Sequence, residues 1–393
     1  MKTLIELYDE RTIENVIGPE TFRPEKIVYM CPEEVVRDKV RQEGLRRFFA
    51  HRGLEAQLEF VACSKYKTDS IYNQFKQIAT NNGDCAMDVT GGSDAALFAA
   101  GQYCNESGMP TFTYSRKRNK FYNISNADFA HDVECALEYN VEDFFMMAGG
   151  TLRKGRVDNN ILGEYMDKYD EFFDVFEKNR RHWARDISFM QRISRSDYEG
   201  NYSLDVEGSY EQKGEHGGRI KANEPWLHEL ERIGFIKNLH IETGQSVKFT
   251  FADDQIRSWL RDVGSVLELY MYKTCKDTGI FRDVISSAIV DWDGTNTKDS
   301  ISNEIDVVAT RGVVPLFISC KATEVKTEAI NELAILRDRF GGKGAKAAIV
   351  STENCNAAAR HRAAQMGIVV IDKEEIENGT VGERLKIIMK VAE

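Results

Sequence analysis

Across residues 2–150, short runs of β-branched and aromatic residues alternate with amphipathic segments, and this alternation constrains the fold more than any other feature of the chain. The runs at 3–7, 26–30, 58–62, 86–89, 121–124 and 144–147 predict strands. Between them, 33–49, 71–81 and 95–105 carry helical spacing, as in Val36, Val40 and Leu45. Parallel neighbours need a crossover connection, and the crossover helices must cover the faces of the sheet. Residues 1–154 are therefore expected to form an α/β domain, doubly wound and Rossmann-like, with a parallel-rich sheet.

On such sheets ligands bind beyond the carboxyl ends of the strands, so the loops that follow the strands carry the information. The first strand is followed by Asp9-Glu10-Arg11-Thr12, the second by Cys31-Pro32-Glu33-Glu34, and the fourth by Thr90-Gly91-Gly92-Ser93-Asp94. In the last, two glycines let a ligand approach the backbone, Thr90 and Ser93 offer hydroxyls, and a helix starting near Asp94 points free N–H groups at an anion. Two readings stay open: a phosphate-bearing ligand, or a tight turn capped by Ser93 or Asp94. Neither the dinucleotide Gly-x-Gly-x-x-Gly fingerprint nor a Walker loop is present. Arg116-Lys117-Arg118-Asn119-Lys120 reads as a solvated hairpin edge, with a phosphate contact as the alternative.

Lys+Arg 52 against Asp+Glu 63 leaves a net charge of −11, so any nucleic-acid contact must come from a local basic surface. No stretch approaches the length of a membrane span, and residues 1–9 hold only a short apolar run broken by Glu6, so neither secretion nor membrane insertion is expected. The eight cysteines form no Cys-x-x-Cys pair and read as buried thiols of a reducing cytoplasm. Residues 155–252 break the α/β rhythm. Tyr169, Phe172, Phe173 and Phe176 crowd a helical stretch at 165–182 and read as packing. The run 213–218 reads as an exposed turn, and His216 and His228 have no partners at metal-ligand spacing. A helix at 226–234 followed by an alternating 247–251 suggests a winged-helix-like element, either a connector or a surface that touches nucleic acid.

Residues 253–393 read as a compact α–β–β–β–α–β series. Ile256, Trp259, Leu260, Val263, Leu267, Tyr270 and Met271 share one helical face, with Glu268 at its border. Strands at 287–292, 304–309 and 315–322 follow, the last two joined by Thr310-Arg311-Gly312. Alternation sets Glu304 and Asp306 on one face, and Ser319 and Lys321 on one face of the next strand. If these faces coincide beside Glu268, oxygen ligands for Mg²⁺ or Mn²⁺ come from Asp306, Glu268 and the main-chain carbonyl of Cys320. Lys321 would then orient the attacking water or stabilise charge on the phosphate. Taken singly, each of these residues could instead be a surface cross-strand ion pair.

The run Asn303-Glu304-Ile305-Asp306-Val307-Val308 followed by Phe317-Ile318-Ser319-Cys320-Lys321 resembles the PD-(D/E)xK restriction-endonuclease core. Asp306 matches the first acid, Lys321 the lysine and Glu268 the helix acid. Ser319 departs from the pattern, standing where Asp or Glu is usual, so either Glu304 compensates or the core is degenerate. With the Thr-Gly-Gly-Ser loop in a Rossmann-like half, the whole resembles CRISPR ancillary nucleases of the Can/Card kind, a CARF sensor fused to a PD-(D/E)xK effector. That resemblance implies a cytoplasmic prokaryotic homodimer of type III CRISPR antiviral defence. Its sensors would bind cyclic oligoadenylate, cyclic tetra-adenylate foremost, and switch on metal-dependent cleavage of DNA, with RNA a second candidate substrate. Asp9, Glu10, Arg11, Thr12, Thr90, Gly91, Gly92 and Ser93 are then the candidate ligand contacts. The alternatives are a ligand-responsive nucleic-acid-binding regulator with a degenerate nuclease core, and a constitutive nuclease whose Rossmann half only dimerises.

Overall fold

The structure is a computed structural model that describes residues 1–153, 166–194, 203–214, 218–295, 301–342 and 344–390. Tyr165, the side chain of Tyr169, His216 and Lys343 lie outside the described residues. The chain packs into two compact units. The first comprises Met1–Lys154, Ala288–Phe317 and Glu332–Ala347, and the second Gly155–Ser287, Ile318–Asn331 and Ala348–Glu393.

The first unit is built on a seven-stranded sheet of β1 (Thr3–Leu7), β2 (Lys26–Cys31), β3 (Gln57–Ala62), β4 (Cys85–Asp88), β5 (Thr111–Ser115), β6 (Lys120–Ser125) and β7 (Val133–Glu134). Their order is β3-β2-β1-β4-β5-β6-β7, with the first five parallel and the last two antiparallel. The Rossmann-like expectation is met. Alternation along β1 sends Leu4 and Tyr8 into a core with Tyr29, Phe48, Phe112 and Phe121, and Ile5 and Leu7 into a second core with Ile71, Phe75 and Tyr103.

Local differences from the sequence reading have physical causes. Residues 144–147 are not a strand but the end of the helix Val141–Met147, started by a capping box between Asn140 and Asp143. The 33–49 segment is two helices, Glu33–Arg37 and Lys39–His51, because Asp38 caps the second by accepting from Arg41 N–H. Strand β5 lies in a stretch, 111–115, where no strand was expected.

The remaining strands are β8 (Thr151–Leu152), β9 (Asp205–Ser209), β10 (Glu211–Lys213), β11 (Arg219–Lys221), β12 (Ile236–Glu242), β13 (Ser246–Phe251), β14 (Asp283–Asp291), β15 (Ser302–Arg311), β16 (Val314–Lys321), β17 (Lys346–Ser351) and β18 (Ile368–Ile371). A six-stranded sheet runs β18-β17-β16-β15-β14-β8. In the middle of the chain the helix Glu224–Arg232 and the antiparallel sheet β12-β13-β9 form the winged-helix-like element. The aromatics of the helix Met166–Asn179 are packing groups: Phe172 stacks on Phe235 (5.2 Å between centroids), and Phe176 packs on Trp183 and Tyr270 (5.0 and 4.8 Å). The single helical face expected over 256–271 is instead two helices, Asp254–Trp259 and Val263–Asp277, the second capped by Asp262, which accepts from Gly264 and Ser265 N–H groups (both 3.1 Å). None of the eight cysteines forms a disulfide, and Cys63 and Cys355 are half-buried where burial was expected.

Two glycines make opposite predictions. A Cβ on Gly18 would overlap the Asp88 carboxylate, whereas a Cβ on Gly101, within the helix Asp94–Ser107, meets nothing within 4 Å. Gly18→Ala is expected to destabilise the protein by about 1–3 kcal/mol, and Gly101→Ala to stabilise it by up to about 1 kcal/mol. Denaturant titration of the two variants checks both signs.

Candidate ligand crevice and nuclease site

The order of the first sheet reverses at β1, which pairs with β2 on one side and β4 on the other. A crevice opens at such a switch point, beyond the carboxyl ends of the two strands. It is flanked by the loops 8–12 and 89–93. The first loop is stapled internally: Asp9 N–H donates to Asn15 Oδ1 (2.8 Å), Asn15 Nδ2 donates back to the Asp9 carbonyl (2.8 Å), and Arg11 N–H donates to Asp9 Oδ1 (2.9 Å). This leaves Glu10 and Arg11 exposed and Asp9 half-buried, with Thr12 buried behind them.

The second loop crosses the end of β1 so closely that side chains do not fit. A Cβ on Gly91 would lie 2.7 Å from the Leu7 carbonyl oxygen, and one on Gly92, at φ +100°, 2.8 Å from Leu7 Cβ. The Thr90 hydroxyl donates to Asp88 Oδ1 and accepts from Tyr114 N–H (2.9 Å), so it ties β4 to β5. Ser93 is exposed and caps the helix Asp94–Ser107, accepting from Ala96 N–H (3.3 Å). The turn reading is met, with Ser93 as the cap, and the glycines bring the backbone close to the end of β1.

Beneath the loops lie acids that sequence reading passed over. Glu6 and Asp88 are paired across β1 and β4 and fully buried. Both Glu6 carboxylate oxygens and Asp88 Oδ2 have no hydrogen-bond partner among the described residues. Burial pushes the Asp88 carboxyl up to about 7, against the hydrogen bonds from Thr90 that favour its charged form. Burial, and then the Asp88 charge, raise Glu6 well above the usual carboxylate range. Nothing in the spacing of the chain marks either residue except a lone acid within each apolar run.

Arg116 is not a solvated edge residue. It lies in the turn between β5 and β6 but is largely buried, paired with the buried Glu14. Burial lowers the Arg116 pKa and raises that of Glu14, and each charge opposes the shift of the other. The loop after the helix Thr327–Phe340 belongs to the same compact unit. A Cβ on Gly344 would lie 2.9 Å from an Arg116 guanidinium nitrogen, and one on Gly342 3.3 Å from Ile13. Arg11, Arg337, Gly342 and Gly344 line a cleft of about 360 Å³ there.

The expected nuclease residues are placed as follows. On β15 Ile305 and Val307 are buried, while Glu304 is exposed and Asp306 half-buried, so the two acids share the other face. On β16 Ser319 and Lys321 are half-buried and alternate with the buried Ile318 and Cys320. The strands follow one another through Gly312 (φ +56°) and Val313 and are neighbours in the sheet. Glu268, half-buried on the helix Val263–Asp277, accepts from Ser287 Oγ (3.4 Å). Ser287 has φ +49° in the middle of β14, where the buried alternation breaks. Sequence reading missed Ser287; the adjacent Ser286 and Ser287 in an otherwise apolar strand were its only trace. Among the described residues no three His, Cys, Asp or Glu side chains gather as a metal cluster; the donors expected from the sequence are Asp306, Glu268 and the Cys320 carbonyl. These donors are all oxygen, which suits Mg²⁺ or Mn²⁺.

Residues 256–387 match the family model of the Card1-like endonuclease domain. In fold, the chain is similar to protein VC1899 from Vibrio cholerae, at TM-score 0.76 and 16% identity over 98% of both chains. It is also similar to Can2 from Sulfobacillus thermosulfidooxidans in complex with cyclic tetra-adenylate, at TM-score 0.68 and 16% identity over 98% of this chain and 99% of that one. No curated protein matches the sequence. No helix among the described residues is long and apolar enough to cross a membrane.

The buried acids set a pH dependence. Because the folded state raises the Asp88 pKa to about 7, its contribution is fully present below the unfolded value near 4. It is lost as pH rises through about 7. The loss amounts to at most about 4 kcal/mol, and Glu6 adds to it with the same sign. Unfolding free energy should therefore fall between about pH 4 and 7, and Asp88→Asn should flatten that fall in denaturant titrations across the range.

Proposed function

We propose that this chain, of the Can/Card architecture and carrying a Card1-like endonuclease domain, is a cyclic-oligoadenylate-activated, metal-dependent endonuclease of type III CRISPR defence, acting in the prokaryotic cytoplasm. The observation that carries the reading is the coincidence of an endonuclease-domain match over 256–387 with a switch-point crevice in the sheet of the first unit. Cyclic tetra-adenylate is the proposed activator, because the similarly folded Can2 binds it. DNA is the proposed substrate, with RNA the second to be tested. Residues 1–154 act as the sensor, 155–252 as the connector and 253–393 as the nuclease.

In the crevice Arg11 and the N–H groups around Gly92 and Ser93 suit phosphate oxygens, while Asp9 and Glu10 suit ribose hydroxyls or adenine amino groups. Thr12, Thr90 and Gly91 shape the loops that present them. At the nuclease site Asp306, Glu268 and the Cys320 carbonyl would hold the divalent ion, which when bound supplies Lewis acidity and a more acidic water. Lys321 orients the nucleophile or neutralises charge developing on the phosphate. Glu304 stands on the same strand face as Asp306 and supplies the second acid, since Ser319 offers only a hydroxyl. Ser319 also favours the second reading, a ligand-responsive regulator that binds nucleic acid without cutting it.

A homodimer suits a cyclic tetranucleotide, whose two-fold symmetry matches a site built twice across a two-fold axis. Leu97 and Phe98, 38% and 68% exposed, lie on the helix that Ser93 caps, beside the crevice, and are offered as part of that interface. The closeness of Gly342 to Ile13 and of Gly344 to Arg116 would give a bound ligand a route to the helix Thr327–Phe340.

Plasmid, single-stranded DNA and RNA should be cut with Mn²⁺ or Mg²⁺ only when cyclic tetra-adenylate is present. Asp306→Ala and Lys321→Ala should each lower the rate by at least about 100-fold while ligand binding, read by calorimetry, is retained. Full activity in both variants overturns the site, and ligand-dependent binding without cleavage selects the regulator. Phe98→Glu should convert the dimer to monomer in light scattering and weaken ligand binding with it.

A further inference from the structure

The helices Met166–Asn179 and Trp183–Ile193 are joined by a tight turn, closed by His182 N–H on the Asn179 carbonyl (2.8 Å). This turn and the start of the second helix carry Arg180, Arg181 and Arg185. Arg180 is clamped, its Nε donating to the Glu377 carbonyl (2.9 Å) and its Nη1 to Glu177 Oε2 (2.6 Å). The clamp fixes the turn against the helix Lys373–Asn378. Arg181, in the turn, and Arg185, in the first turn of the second helix, both stay exposed.

The three arginines and Lys373 line one cleft of about 510 Å³ within the second unit. Its other wall is formed by the residues that directly follow β16 and β17. Thr352 N–H donates to the Lys321 carbonyl (3.1 Å) and the Thr352 hydroxyl to the Ala322 carbonyl (3.0 Å), so the cleft opens one residue beyond Lys321. Two of the acids on the cleft wall are already engaged. Glu324 accepts from Asn356 Nδ2 (2.7 Å), and Glu377 lies 3.9 Å from Lys373 Nζ. Arg185 also lines the adjoining cleft of about 390 Å³, together with His182 and Lys221 of β11. Trp183 is buried against Phe176 and closes the floor. Across the two clefts the basic groups Arg180, Arg181, Arg185, Lys373 and Lys221 stand among the acids Glu324, Glu353, Glu377, Asp186 and Glu224, so the positive charge is local to the exposed Arg181 and Arg185.

We infer that this cleft seats a nucleic-acid strand, with Arg181 and Arg185 holding backbone phosphates and leading the strand past the end of β16. The middle of the chain then supplies a substrate-binding wall as well as a connection. Guanidinium forks suit phosphodiester oxygens and carry no base preference, so the wall contributes affinity and register rather than sequence specificity. This rests on the nuclease reading above, from which its test is kept separate.

The test is fluorescence anisotropy of labelled single-stranded and duplex oligonucleotides on full-length Lys321→Ala protein without divalent metal, with and without cyclic tetra-adenylate, over a range of salt. Arg181→Glu with Arg185→Glu should weaken binding at least about tenfold at low salt and make the salt slope shallower by about 1.5. Arg181→Gln with Arg185→Gln should give an intermediate loss, and Arg118→Glu, on the exposed hairpin between β5 and β6, none. Unchanged affinity and slope in the double Glu variant, with circular dichroism intact, overturns the inference, as does absence of binding by the parent protein. Cleavage by the wild-type enzyme together with unaltered binding by the variant refutes the wall alone. Arginine-dependent binding without cleavage refutes the nuclease reading alone.

Discussion

The parallel pairing of β1 with β4 is the constraint on which the rest of the first unit depends. It reverses the strand order, so two crossovers leave in opposite directions and a crevice must open between them. It also brings the chain leaving β4 directly across Leu7, at distances that only Gly91 and Gly92 accommodate. The same pairing sets Glu6 beside Asp88 on the face covered by residues 12–22, where Gly18 leaves room for a carboxylate and no more. The close passage of the loop after β4 over the end of β1 is therefore a consequence of strand order before it is a feature of the loop.

Burying two carboxylates under that crevice is costly unless at least one stays neutral. Neutrality here is bought with pKa, not with partners: Asp88 keeps one oxygen bonded to Thr90 and leaves the other bare, and Glu6 leaves both bare. A protonated acid can donate where a carboxylate only accepts, so the pair can adjust to what lies above it. The Glu14 and Arg116 pair solves the same problem differently, with two charges sharing one burial and neither stable without the other.

The parts of the fold that were legible from sequence are those where periodicity and burial agree. Strands β1 and β2 are buried, mostly apolar runs and β3 an exposed, mixed one, and their lengths and sites were readable to within a residue. The 144–147 run was misread because Phe144, Phe145 and Met147 are buried from a helix as well as they would be from a strand; the deciding signal was Asn140 and Asp143, three residues apart. Val36, Val40 and Leu45 were read as one helix because the Asp38 cap breaks the chain without breaking the apolar stripe. Glu304 and Asp306 were placed on one strand face because they alternate with the buried Ile305 and Val307. The left-handed φ of Ser287 was not legible, since nothing in the residue type calls for it. Arg116 was misjudged because a basic cluster looks solvated until its buried partner, 102 positions away, is known.

Coupling between a ligand crevice and a distant catalytic strand requires an element whose energy depends on both. The segment Glu332–Ala347 meets that requirement by membership: it packs with Met1–Lys154, yet it directly precedes the bulk of β17, whose end is stitched to the residues after Lys321. Gly342 and Gly344 both have positive φ, and a Cβ on them would lie 3.3 Å from Ile13 and 2.9 Å from Arg116. A ligand that moves Arg11 or Arg116 must then displace this loop or be resisted by it. On the proposed reading it would shift the nuclease only by the difference between its affinities for the two arrangements.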